Sequence, residues 1–184
     1  MSDSSIGLFE KRDYFTNSDK PNKNELFEWL SGGHNYQYFV TLTLKKAIYG
    51  EQGTWHNITR QDCNTTAWLF RDRLLKKIIP SVAYRNGQRT GFLAFIEGGQ
   101  DTKRPHIHIV AQCPIEVSEE RFRFVVSQIC TRLDWVHDRI DVRKIEDIEG
   151  SGTRATIFYS LKEGVGAFCS EASCLPRTQN LLVA

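Results

Sequence analysis

Residues 91–111 read GFLAFIEGGQDTKRPHIHIVA. Two short apolar runs flank a polar loop that opens on two glycines, the pattern of a β-hairpin. The first run, 91–97, is apolar on both faces and so reads as an inner strand of a sheet. The second, 106–111, sets His106 and His108 on one face and Ile107 and Ile109 on the other. Paired as antiparallel neighbours, the two runs bring Glu97 opposite His106, and directly opposed residues project to the same face. The stretch thus predicts a greasy face against a core and a polar face carrying a carboxylate beside two imidazoles.

Outward from the hairpin, residues 36–44 (YQYFVTLTL) alternate as a strand. Phe39, Thr41 and Thr43 share one face, and Val40, Leu42 and Leu44 the other. After a loop holding Gly50 and Gly53, residues 59–79 read as a helix closed by Pro80, with Trp68, Leu69, Leu75, Ile78 and Ile79 along its apolar stripe. Ser118 is an N-cap, and Val117 and Phe122 are spaced as a hydrophobic staple around it. The helix it opens runs to about residue 133 with Phe122, Val125, Val126, Ile129 and Leu133 inward. Residues 140–148 (IDVRKIEDI) alternate again, and TRATIFYSLKEG is a last helix ended by Gly164. The order strand, helix, strand, strand, helix, strand, helix predicts an α+β fold. It is an antiparallel β-sheet flanked by helices in a split β-α-β arrangement. Residues 1–24 read as a polar N-terminal arm, 25–168 as the domain, with ELFEWL as a short entry helix, and 169–184 as a C-terminal tail.

At 184 residues, 40% of them hydrophobic, the chain has one domain's worth of core. It has no apolar run long enough for a membrane span and no basic-then-greasy leader, so the expectation is a cytoplasmic protein with no membrane partner. Five scattered cysteines without CxxC pairing read as reduced thiols filling the core. Net charge is only +2, so bulk electrostatics do not announce a nucleic-acid binder. The 71–104 segment is locally basic, which suits either a phosphate-binding surface or a solvated face.

Histidines at i and i+2 of a strand stand roughly 6.5 Å apart, a gap that a metal bonded at about 2.1 Å to each can bridge when the rings lean inward. Glu97 ends an apolar strand, where an unpaired carboxylate is costly; the plainer alternative has it opening a solvated loop. Two imidazoles and a carboxylate suit a catalytic divalent ion that grips a phosphate oxygen. Tyr159-Ser-Leu-Lys162 on the last helix aims a phenol and an ammonium at one spot. A tyrosine nucleophile must lose a proton at a cost of about 4 kcal/mol at pH 7, and a nearby cation offsets part of it.

These residues resemble the motifs of the HUH endonucleases, specifically the single-tyrosine initiators of rolling-circle replication. Phe39–Leu44 (FVTLTL) is similar to the family's first motif, His106-Ile107-His108 to the second and Tyr159-Ser-Leu-Lys162 to the third, in the family's order. The resemblance implies that His106, His108 and Glu97 bind Mg²⁺ or Mn²⁺. It also implies that Tyr159 attacks a scissile phosphate in single-stranded or hairpin origin DNA, leaving a 5′-phosphotyrosine and a free 3′-OH. Lys162 then positions the phosphate or assists proton movement. Nothing in the chain matches G-x-x-x-x-G-K-[ST], so the expectation is either a host helicase and polymerase acting in trans or a chain that is a nuclease fragment of a longer protein.

Rivals share parts of this pattern. A histidine-triad hydrolase needs a third alternating histidine, where this chain has Val110. A relaxase draws its tyrosine from near the amino terminus, where Tyr14 stands, and leaves YxxK unexplained. A single-tyrosine transposase shares the chemistry, and an origin-binding or repressor module keeps the fold without cutting. Lys103 and Arg104 flank the hairpin tip as DNA contacts or as a solvated loop. Tyr49 and Trp55 stand in a loop as base-stacking or packing residues. Thr41 and Thr43 line the site floor, touching DNA or supporting the metal strand. His34, His56 and His137 have no partner in the sequence.

Overall fold

A computed structural model describes residues 22–32, 34–50, 53–98, 104–146 and 151–175. Helix α1 (Lys23–Ser31) starts at a capping box between Asn22 and Glu25 and leads into strand β1 (Tyr38–Leu44). A two-stranded hairpin follows, β2 (Ala47–Tyr49) with β3 (Trp55–Asn57), then the long helix α2 (Arg60–Ile78) and the short α3 (Ser81–Arg85). Strands β4 (Phe92–Glu97) and β5 (His106–Ala111) precede α4 (Glu119–Cys130), β6 (Val136–Lys144) and α5 (Ser151–Ser160). A 3₁₀ turn, Val165–Ala167, follows.

The four long strands form one antiparallel sheet in the order β4-β5-β1-β6. Each helical crossover therefore spans an intervening strand: α2 joins β1 to β4 across β5, and α4 joins β5 to β6 across β1. The two faces differ in chemistry as the alternation predicts. Val40, Leu42, Ile107, Ile109, Phe92 and Ala94 face α2 and α4 in the larger core. On the other face Leu93, Phe95 and Val110 pack with Leu26 and Leu30 of α1 and Ile157 of α5. At one end of that face the polar residues lie in a partly open space, with Thr41, Thr43, Glu97 and His106 half-buried and His108 buried.

Several expectations change. Strand β4 is an edge of the sheet rather than an inner strand. Its outer side is closed by single bridges from Phe168 to Phe95 and from Cys174 to Phe92, and both its faces are apolar because one packs into each core. The covering residues belong to a stretch that includes the start of the expected tail, where Cys169 and Ala172 are buried. Trp68 is 43% exposed; the buried stripe of α2 runs instead through Cys63, Ala67, Phe70, Leu74 and Ile78 at helical spacing. Strand β6 begins at Val136, four residues before the expected start, and pairs with Leu44 across a register shift. The loop after β1 is a hairpin, in which Tyr49 and Trp55 are cross-strand partners. The five cysteines are free; burial pushes the thiols of Cys63 and Cys113 up to about 11 and that of Cys130 up to about 12. No helix among the described residues is long and apolar enough to cross a membrane.

Candidate active site

Strand register assembles the floor of the site. Across the polar face run three rows of opposed residues: Glu97–His106–Thr43, Phe95–His108–Thr41–Asp141 and Leu93–Val110–Phe39–Arg143. Over them lies α5, anchored by the buried Thr153, Ile157 and Ser160. Its start is pressed against the chain just past β6, where a Cβ on Gly152 would collide with the Glu146 carbonyl oxygen. Tyr159 falls on the open side of α5, 49% exposed. Between helix and sheet is a cleft of about 550 Å³ lined by Glu97, His106, His108, Tyr159 and Lys162 together with Phe39, Asp141 and Arg143.

A continuous chain of hydrogen bonds crosses this cleft. Thr41 Oγ1 lies 3.1 Å from His108 Nδ1, and His108 Nε2 lies 2.7 Å from Glu97 Oε2. Lys162 Nζ donates to the same carboxylate oxygen at 2.7 Å and to Tyr159 Oη at 2.9 Å. The ammonium also sits 4.1 Å from the centre of the Tyr159 ring. Lys162 lies just beyond the α-helix, in a turn where its amide donates to the Tyr159 carbonyl at 3.0 Å. The turn ends at Gly164, whose φ of +93° is in the left-handed region that favours glycine. Glu163 accepts from the Gly98 amide at 3.0 Å, tying the end of β4 to this turn and so Glu97 to Lys162.

Glu97 opposes His106 in the ladder as predicted, yet its carboxylate bonds His108, the residue on the adjoining row. The His106 and His108 rings are almost parallel, 7° apart in plane, with centroids separated by 6.3 Å. Phe39 stacks on His108 at 5.4 Å and meets the Tyr159 ring edge-on at 6.3 Å; His108 and Tyr159 are 5.8 Å apart. One aromatic wall thereby orients both an imidazole and the phenol, a role for Phe39 that the strand pattern did not single out.

Charges within the chain settle one another. Burial pushes the Glu97 carboxyl up, but bonds from Lys162 and His108 outweigh it and hold the group below its ordinary range. Burial lowers Lys162, while Glu97 and Tyr159 raise it by more, so the ammonium stays charged. His108 is held below the ordinary histidine value because burial dominates over the pull of Glu97. The neutral imidazole is the form that binds a metal. With Nε2–H donating to Glu97, Nδ1 accepts from the Thr41 hydroxyl. A metal on Nε2 requires the other tautomer, with Nδ1–H donating to Thr41 Oγ1, and a hydroxyl serves either state.

Two imidazoles and a carboxylate on one polar face are a donor set for a divalent cation; the carboxylate suits Mg²⁺ or Mn²⁺, while imidazoles favour a transition ion over Mg²⁺. The Lys162 ammonium on Glu97 Oε2 is a stand-in cation at that carboxylate. Among the described residues no three His, Cys, Asp or Glu side chains form a ready-made metal-holding cluster. A cation here would require Glu97 to exchange its bonds to Lys162 and His108 and the two rings to tilt together.

Other expected contacts distribute unevenly. Thr41 supports His108, while Thr43 opposes His106 on the floor. Arg104 is exposed just before β5, and Lys103 lies outside the described residues. Tyr49 and Trp55 form an edge-to-face pair at 5.5 Å, exposed by 64% and 71%, on the hairpin that leaves β1 just beyond Thr43. His56, without a partner in the sequence, meets Asp62 at 3.3 Å and the Trp135 ring at 5.5 Å. Asp141 and Arg143, ion-paired at 2.6 Å, line the cleft from β6. Their IDVRK alternation was the available signal, once β6 was known to lie beside β1. Compared with family models, curated proteins and solved structures, the chain matches none.

Proposed function

We propose that this protein is an HUH-type endonuclease, with the split β-α-β nuclease architecture, that initiates rolling-circle replication by nicking and rejoining single-stranded DNA. The observation that carries the reading is the unbroken contact from His108 through Glu97 and Lys162 to the Tyr159 hydroxyl. It joins the residues suited to hold a divalent cation to a nucleophile, in a cleft open to a polymer. His106, His108 and Glu97 would hold Mg²⁺ or Mn²⁺, which when bound supplies Lewis-acid polarisation of the scissile phosphate.

The rest of the chemistry belongs to the chain. Tyr159 Oη forms a bond to phosphorus while the bond from phosphorus to the 3′ oxygen breaks, leaving a 5′-phosphotyrosine and a 3′-OH. The phenol proton is lost to solvent and the departing 3′ oxygen gains one, so the exchange is balanced without an added reactant. Lys162 stabilises the developing phenolate, since its ammonium already donates to Oη. Phe39 holds the attacking ring in place, and Thr41 fixes the orientation of His108. Reversal by the freed 3′-OH rejoins the strand.

The direct trial incubates the protein with Mn²⁺ and a randomised single-stranded DNA pool labelled at its 3′ end. A denaturation-resistant labelled adduct, absent from Tyr159→Phe and from chelated samples, is the expected result. Binding without any adduct would instead favour the non-cutting origin-binding module, and excision with joining of paired ends the transposase.

A further inference from the structure

On the side of the sheet away from the histidines, a groove of about 360 Å³ runs between α2 and α4. Its rim carries four cations: Arg73 and Lys77 from α2, Arg121 from α4 and Arg132 just past the end of α4. Among the described residues no carboxylate pairs with any of them. Adjacent cations on the same helices are neutralised, Lys76 by Asp72 at 2.7 Å and Arg123 by Glu119 at 2.8 Å. Clustered positive charge without a counter-ion repels itself and is retained at a cost to the isolated fold.

The floor is apolar. Val125 and Ile129 are buried there, while Phe124 projects beside them, 56% exposed, with the Arg121 guanidinium 5.9 Å from its ring centre. Arg73 Nη1 donates to the Arg132 carbonyl at 2.7 Å, bracing the two walls against each other. Arg121, Phe124, Val125, Gln128 and Ile129 follow the three- and four-residue spacing of one helical face. A basic rim over an apolar floor is the complement of an amphipathic helix with carboxylates flanking its greasy stripe.

We propose that this groove docks an acidic amphipathic helix of a partner protein. Its apolar side chains rest against Phe124, Val125 and Ile129, and its carboxylates pair with Arg73, Lys77, Arg121 and Arg132. Nucleic acid fits less well. Phosphates answer the rim but leave the apolar floor and Phe124 unused, and a strand held in the catalytic cleft lies on the opposite face of the sheet. The inference does not depend on the nuclease reading, because none of these residues borders the cleft.

The test measures fluorescence anisotropy of a labelled 18-residue peptide, with Leu and Phe on one helical face and Glu elsewhere, against the full chain. Its controls are a scrambled peptide of the same composition and a 20-base-pair duplex. Saturable binding is expected, weakened about tenfold or more by Arg121→Glu with Arg132→Glu and several-fold by Phe124→Ala and by scrambling. Circular dichroism spectra and urea midpoints unchanged from wild type show that these variants fold. Equal binding of the peptide by wild type and variants overturns the proposal. So does loss of duplex binding in the charge-reversed variant with no peptide binding, which marks a nucleic-acid contact. Self-association abolished by Phe124→Ala overturns it too, assigning the groove to a second copy of the chain.

Discussion

At the scale of single residues, the site is decided by which partner each polar atom keeps. Thr41 touches no reacting group, yet its hydroxyl is the partner of His108 Nδ1 in either tautomer and so holds the ring's tilt. Thr41→Val, nearly isosteric, should weaken Mn²⁺ binding by roughly tenfold to a hundredfold, the usual cost of losing such a support. Titration followed by electron paramagnetic resonance checks this, and unchanged affinity would show that the hydroxyl is incidental. A divalent cation held by Glu97 as proposed would compete with Lys162 for one carboxylate oxygen. Lys162→Met should therefore tighten Mn²⁺ binding, and the gain should vanish in a Glu97→Gln background. Long-range charge repulsion alone would leave the gain intact in both backgrounds, so the double-mutant cycle separates the two causes.

At the scale of elements, the site depends on how firmly two helices are seated. Helix α2 opens on a capping box in which Thr59 Oγ1 accepts from the Asp62 amide and Asp62 accepts from Thr59. Burial pushes the Asp62 carboxyl up, but the Thr59 bonds and His56 outweigh it, so it sits below its ordinary 3.8. A depressed carboxylate adds stability above its unfolded value and loses that share as pH falls through the lower folded one. Asp62→Ala should accordingly be less stable near neutrality, and the gap in urea midpoint to wild type should shrink as pH drops below 3.8. A gap constant with pH would exclude the linkage. At α5, Gly152→Ala drives a methyl into the Glu146 carbonyl and should cost about 1–3 kcal/mol in urea unfolding. Because α5 carries Tyr159, the same change should also slow adduct formation.

The elements that were legible in the sequence are those whose apolar period is complete within one segment. Strand β1 alternates throughout, β5 alternates from His106 to Ile109, and α4 keeps its stripe from Phe122 to Ile129, so each was readable alone. Strand β4 looked internal because the residues that seal its edge, Phe168 and Cys174, lie some seventy to eighty positions later and carry no periodic signature. Trp68 was misplaced because size drew it to the stripe that smaller residues, Cys63 and Ala67, occupy. The register of Glu97 against His106 followed from the hairpin. Its bond to His108 and its second partner, Lys162, did not, since these depend on side-chain reach and on the turn that Gly164 closes.

Across the whole molecule, the sheet divides labour between its faces. One face buries its apolar residues under α2 and α4, and the outer surface of that helical layer bears the basic groove. The other face gathers imidazoles, carboxylates and threonines under α5. The central claim is that the phenol of α5 is the group that takes the DNA. Peptide mapping by tandem mass spectrometry of the Mn²⁺-dependent adduct tests it most directly. The account predicts a single phosphonucleotide modification on Tyr159. A modification on Tyr14 or any other residue, or an adduct that forms undiminished in Tyr159→Phe, would contradict it.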